Sequence, residues 1–199
     1  MKLAMFGGSF DPIHNGHVQL AGAFTEKLGL DKILIMPTYL PPHKQKKTSV
    51  TPQQRLEMCR LAFKDQSDVI ISDIEIKRQG ASYTYMTLLE LSELYSGGEL
   101  FLITGADMFM TIHQWKEPQI IFEKAVICGV PRDKDDIAAL KKQQEYLAGL
   151  GARSEILDAG VMTVSSTEIR NRIRNGMSIA GLVPDAVEEY IMDNGLYLE

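Results

Sequence analysis

The sequence predicts an α/β fold, a doubly wound and mainly parallel sheet with helices on both faces, and three observations carry that expectation. Short apolar runs alternate with longer segments of helical period, the runs are apolar on consecutive positions, and a glycine pair separates the first run from the first helix. A strand covered on one face alternates polar and apolar residues, whereas one covered on both reads as a continuous apolar stretch. Strands alternating with helices imply right-handed crossovers.

The candidate strands are 2–6 (KLAMF), Lys32–Pro37 (KILIMP), 69–76 (VIISDIEI), Glu99–Gly105 (ELFLITG), 124–130 (KAVICGV) and 154–158 (SEILD). Between them, 16–28 is amphipathic, and 51–64 opens on Thr51-Pro52-Gln53-Gln54, a capping box with proline at the first helical position. Residues 83–95 carry Leu88, Leu91 and Leu94 at helical spacing, 135–147 has a Lys/Gln/Glu face suited to solvent, and Ser166–Arg174 and 184–192 close the chain. No repeat, low-complexity tract or linker interrupts the pattern. The expectation is one Rossmann-like domain over 1–199, with a helical C-terminal portion from about 165 to 199.

The 199 residues are 45% hydrophobic and 24% charged, enough for one sizeable core. A net charge of −5, from 21 Lys+Arg and 26 Asp+Glu, disfavours a nucleic acid polymer or an anionic membrane as partner. Cys59 and Cys128 lie far apart in apolar surroundings, so buried thiols in a reducing compartment are expected. The N-terminus runs out of apolar residues too early for a signal peptide, and no stretch approaches the roughly 20 apolar residues of a membrane span. These points predict a soluble, cytoplasmic protein, with homo-oligomerisation left open.

In doubly wound folds ligands sit at the carboxyl ends of strands beside helix N-termini. The segment after the first strand, Gly7-Gly8-Ser9-Phe10-Asp11-Pro12-Ile13-His14-Asn15-Gly16-His17, falls at such a place. Paired glycines let the backbone approach a ligand, and a helix starting near Asn15 turns its amides and positive dipole end toward the loop. His14 and His17 share one side of the first turn, where they can donate to phosphate oxygens and carry charge when a phosphate raises their pKa. A plain surface turn is the weaker reading, given the glycines and the strand-to-helix switch. Neither G-x-x-x-x-G-K-S/T nor G-x-G-x-x-G is present, so a Walker loop and a hydride-transferring dinucleotide enzyme are disfavoured.

The run His14-Asn15-Gly16-His17 resembles the H-x-G-H signature of the nucleotidyltransferase superfamily. The longer string G-G-S-F-D-P-x-H-x-G-H looks like the opening of the bacterial nicotinate-nucleotide (nicotinic acid mononucleotide) adenylyltransferases. A second signature, Val164-Ser165-Ser166-Thr167-Glu168-Ile169-Arg170, is similar to the family's I-S-S-T-x-I-R, with Val164 replacing the usual Ile. Hydroxyls and amides at a helix start can grip phosphate, and Arg170 offers a fork of donors; Ser165 and Glu168 also read as a capping box. Ser82-Tyr83-Thr84 resembles the family's S-Y-T element, and the resemblance covers the chain from Gly7 to Arg170 in the expected order.

That resemblance implies transfer of the adenylyl group of ATP to nicotinate mononucleotide, giving nicotinate adenine dinucleotide and pyrophosphate in NAD biosynthesis. It assigns His14, His17, Lys44 and Arg170 to catalysis, with His17 nearest the reacting α-phosphoryl group and Lys44 and Arg170 neutralising the pyrophosphate. ATP would meet Gly8, Ser9, Phe10, His14, His17, Gly105, Asp107, Ser165, Ser166, Thr167 and Arg170. The mononucleotide would meet Gly7, Ser9, Lys44, Thr84, Asp107 and Trp115, with Trp115, the only tryptophan, stacked on the pyridine ring. Many members carry an aromatic residue after this tryptophan, where this chain has Lys116. Lys44 follows Pro41-Pro42-His43 in a loop whose other lysines, Lys46 and Lys47, read as solvated. Asp107 otherwise reads as a helix N-cap. Mg²⁺ is expected on the ATP phosphates and water, without a protein ligand set.

Rival readings are a phosphopantetheine or nicotinamide mononucleotide adenylyltransferase, a fragment related to class I aminoacyl-tRNA synthetases, and a non-catalytic nucleotide sensor. Phosphopantetheine enzymes usually carry Thr where His14 stands; a synthetase needs a K-M-S-K-S-like loop and an RNA-binding module, neither visible. The charge distribution narrows the partner further. Residues 185–199 hold Asp185, Glu188, Glu189, Asp193 and Glu199 and no Lys or Arg, so the net −5 resides there and the rest is balanced. The segment 43–60 is instead basic, which suits a small polyphosphate.

Overall fold

A computed structural model describes residues 1–41, 50–131, 135–157, 160 and 164–199. Among the described residues are six strands: β1 (Lys2–Gly8), β2 (Lys32–Pro37), β3 (Val69–Ile71), β4 (Glu99–Gly105), β5 (Ala125–Val130) and β6 (Ser154–Ile156). They form one parallel sheet in the order β3-β2-β1-β4-β5-β6. Around it lie α1 (Asn15–Leu28), α2 (Pro52–Ala62), α3 (Ile74–Arg78), α4 (Thr84–Leu94), α5 (Ala106–Thr111), α6 (Pro118–Lys124), α7 (Asp136–Gly149), α8 (Ser166–Arg174) and α9 (Asp185–Asp193).

Alternation along each strand explains the unbroken apolar runs. Leu3 and Met5 of β1 pack on one face with Leu88 and Leu91 of α4, Phe109 of α5 and Ile121 of α6. Ala4 and Phe6 pack on the other with Phe24 of α1, Met58 of α2, Ile169 of α8 and Val187 of α9. Both faces are covered, so a polar residue at any central strand position would be stranded without water. Cys59 and Cys128 are buried, and burial pushes both thiols up, Cys128 to about 12, so neither is a ready nucleophile.

The expected strand over 69–76 is shorter. It stops at Ile71, and Ile74–Arg78 turns into α3, with Glu75 buried at 2% exposure. Sequence alternation there reflects one turn of helix with an apolar side, not a strand. The helices α5 and α6, of 6 and 7 residues, are too short for their period to show. Between them Ile112–Gln114 forms a single 3-10 turn ending at Trp115. The strand expected over 154–158 ends at Ile156, with Asp158 outside the described residues.

The order of strands places the switch point between β1 and β4. β1 pairs with β2 as far as Gly8↔Pro37, but with β4 only to Phe6↔Ile103. From Gly7 onward β1 and β4 part company, and the crevice opens there.

Candidate functional site

Loop 9–14 leaves that crevice and enters α1 through a reciprocal cap. His14 is the N-cap residue, its Nδ1 accepting from the backbone amide of His17 at 3.3 Å. The Nδ1 of His17 in turn accepts from the backbone amide of His14 at 3.2 Å. The rings stack with centroids 3.6 Å apart and 23° between planes. An imidazole that accepts at Nδ1 while neutral carries its proton on Nε2, so the cap fixes one tautomer for both rings. The proton of each ring then sits on Nε2, the nitrogen that the cap does not use.

Both imidazoles are neutral in the free protein. Burial lowers His14 to about 4, and burial followed by the neighbouring His14 holds His17 well below its ordinary value. Before a ligand arrives they are neutral donors.

The floor beneath them requires Gly8. A Cβ there would lie 3.0 Å from Cζ of Phe10, whose ring packs edge-on against His17 at 5.1 Å. Phe10, expected at ATP, is 2% exposed and adopts a left-handed backbone at φ 44; its ring supports the histidines from the core. The two signatures meet at this loop. Ser166 Oγ donates to Pro12 O at 2.9 Å, and Arg170 donates to Asp11 O at 2.6 Å and to Thr167 Oγ1 at 3.1 Å. Ser165 caps α8 by accepting from the Glu168 amide at 3.1 Å. These hydroxyls and the guanidinium thus fasten α8 beside the histidine loop, and the α8 N-terminus faces the same region.

The parting of β1 and β4 creates a cavity of about 470 Å³ beside the loop. Gly7, Gly8, Ser9, Thr84, Gly105 and Trp115 line it, joining six of the expected residues. His14, His17, Ser165, Ser166, Thr167 and Arg170 lie outside its lining, and the α8 residues among them stand against loop 9–14 through Ser166 and Arg170. Asp107 is exposed on the first turn of α5, whose N-cap is Gly105, so the N-cap reading of Asp107 is corrected. Lys44 lies outside the described residues.

Sequence reasoning missed three contributors. Arg55, 5% exposed, donates to Ser9 O and Thr38 O at 2.6 Å each, tying the ends of β1 and β2 together. Glu75 lines the cavity and accepts from Thr87 Oγ1 at 2.8 Å, and burial raises its carboxyl above the usual range. Tyr197 donates to Asp11 Oδ1 at 2.9 Å from near the C-terminus. The basic residue on the helix after a basic loop was the one signal for Arg55; the others had none.

Residues 5–172 match the cytidylyltransferase-like family. A protein of Desulfitobacterium hafniense named "Probable nicotinate-nucleotide adenylyltransferase" is 38% identical over 98% of this chain and 95% of its own. One of the same name from Dictyoglomus thermophilum is 38% identical over the full length of both. The solved Plasmodium falciparum nicotinic acid mononucleotide adenylyltransferase complexed with NaAD superposes with a TM-score of 0.80, covering 98% of this chain and 97% of that one. At 18% identity that likeness speaks for the fold, which is the same Rossmann-like α/β architecture. From its family match and its full-length relatives, the chain belongs to the cytidylyltransferase-like family, among the nicotinate-nucleotide adenylyltransferases.

Proposed function

We propose that the protein transfers the adenylyl group of ATP to nicotinate mononucleotide, releasing pyrophosphate. The observation that supports this reading is the pairing, across loop 9–14, of a stacked histidine pair whose Nδ1 atoms are engaged in the helix cap with an adjoining cavity lined by Trp115, Tyr83 and Thr84. A phosphate oxygen of the mononucleotide attacks the α-phosphorus, and the bond from that phosphorus to the bridging oxygen breaks, that oxygen leaving with pyrophosphate. The attacking phosphate is already a nucleophile, so catalysis is positioning and charge stabilisation.

His14 and His17 hold the ATP phosphates as neutral donors, with His17 at the reacting group. Arg170 and Lys44 offset charge on the leaving pyrophosphate, and Ser9, Ser165, Ser166 and Thr167 hold phosphate oxygens. The donors brought together here are imidazole, hydroxyl and guanidinium groups, which address phosphate oxygens directly; Mg²⁺ would come on the polyphosphate and supply further charge neutralisation. The whole of 1–199 acts as one catalytic domain. No helix among the described residues is long and apolar enough to cross a membrane, and a cytoplasmic location suits a nucleotide substrate.

Release of pyrophosphate that requires both ATP and nicotinate mononucleotide tests the reading. His17→Ala should lower kcat by orders of magnitude while the circular dichroism spectrum stays native. Near-normal turnover in that variant overturns the role of the pair.

A further inference from the structure

We propose that the side chain of Lys116 is a specificity determinant that selects the pyridine carboxylate over the carboxamide. This inference rests on the adenylyl-transfer reading and assigns a residue that departs from the family's aromatic pattern. Among the described residues lining the cavity, only Glu75 and Lys116 are ionisable to a full charge at neutral pH. Glu75 accepts from Thr87 Oγ1 at 2.8 Å and lies 4.0 Å from the Arg78 guanidinium, so a cation already stands beside its carboxyl. Lys116 is therefore the one cation that these walls present.

Its position is set by backbone shape. Trp115 ends the 3-10 turn, its amide donating to Ile112 O at 3.1 Å, and Glu117 takes a left-handed conformation at φ 52 before Pro118 starts α6. The sharp turn projects Lys116 across the cavity, where Nζ sits 4.6 Å from the centroid of the Tyr83 ring. Tyr83 is the N-cap residue of α4, and Thr84 is its first helical residue, so the ammonium stands at the positive end of an 11-residue helix. A cation held over an aromatic face by a weak contact is available to a better partner. Among the described residues no carboxylate pairs with it.

The substrate carries two anionic groups, and the chemistry divides them. Its phosphate has to reach the α-phosphorus held by the histidine pair, at the Gly8–Ser9 side. The remaining anion is the ring carboxylate, on a planar ring that the aromatic walls of Trp115 and Tyr83 suit. A neutral carboxamide in the same place gains no charge attraction from the ammonium. Lys116 is exposed to solvent while it lines the cavity, so the discrimination comes from the attraction gained by the carboxylate, a screened contact worth about tenfold at most.

The test compares kcat/KM for nicotinate and nicotinamide mononucleotides in the wild type, Lys116→Met and Lys116→Arg. Trp115, the sole tryptophan, gives a second readout, since quenching of its fluorescence reports binding of each mononucleotide without turnover. Lys116→Met should lower the acid-to-amide ratio roughly tenfold in both measurements, the loss falling on the acid. Lys116→Arg, which keeps the charge, should hold the ratio within about threefold. An unchanged ratio in Lys116→Met, or an equal loss on both substrates, overturns the proposal while leaving adenylyl transfer standing. A wild-type enzyme inactive with both mononucleotides removes the functional reading, and this inference with it.

Discussion

At His14 one side chain does two jobs that set opposite demands. As N-cap it must accept a hydrogen bond, and in the proposed phosphate-binding role it must donate one; the neutral imidazole with its proton on Nε2 meets both. A doubly protonated ring would lose its cap, so the geometry and the lowered pKa agree on the neutral form. The consequence for stability follows from the direction of the shift. The folded pKa is about 4 and the unfolded value about 6.5, so the unfolded chain takes up a proton first as pH falls. The stability tied to His14 is full above about pH 6.5, is lost between there and 4, and levels off below. At most it amounts to about 3 kcal/mol. His14→Asn keeps an N-cap oxygen and removes the titration, so its urea midpoint should fall less than that of the wild type between pH 7 and pH 4.5. Parallel loss in the two proteins contradicts the neutral, buried assignment.

At the scale of elements, the sheet delivers its loops to one edge, and Arg55 on α2 decides how they sit. Its two terminal nitrogens reach carbonyls from two different loops, Ser9 O after β1 and Thr38 O after β2. Arg55→Met removes the guanidinium donor from both carbonyls, which should lower stability by roughly 2–4 kcal/mol in chemical denaturation and raise the KM for the mononucleotide. Arg55→Lys should recover only part, since one ammonium lacks the fork. A Met variant as stable as the wild type would exclude the clamp. The regular elements were legible in sequence where burial is two-sided, as at Lys32–Pro37 and Glu99–Gly105, or where a cap opens a clearly amphipathic helix, as at Ser166–Arg174. The stretch from Val69 misleads because β-branched residues run on into α3, whose single turn buries a glutamate that composition assigns to solvent. In the site, motif residues such as Gly8, His17 and Trp115 were readable because their chemistry is local in the chain. Arg55 and Glu75 were not, because their partners lie on other elements and a charged residue gives no sign of being buried.

The whole molecule is closed by a contact between its ends. Asp11, in loop 9–14, accepts from Arg170 through its carbonyl and from the Tyr197 hydroxyl through its carboxylate, 159 and 186 residues away. Tyr197 is 4% exposed and holds a left-handed backbone at φ 66, a conformation that costs a non-glycine residue about 1 kcal/mol. Burial and the adjacent Asp11 push its phenol up, so it remains a donor at every physiological pH. The acidic C-terminal segment is therefore more than a solvated tail: its last turns reach back to the first loop and help fix where the histidines stand. Tyr197→Phe keeps the ring and deletes the donor, leaving one buried carboxylate oxygen of Asp11 short of a partner. The expected cost is about 1–3 kcal/mol, read as a lower Tm. Because Arg170 holds the same aspartate, Arg170→Lys and Tyr197→Phe should be non-additive in a double-mutant cycle by at least about 0.5 kcal/mol. Strict additivity of the pair, or a Tyr197→Phe variant as stable as the wild type, would mean that Asp11 is held by packing alone and that the two ends of the chain are independent.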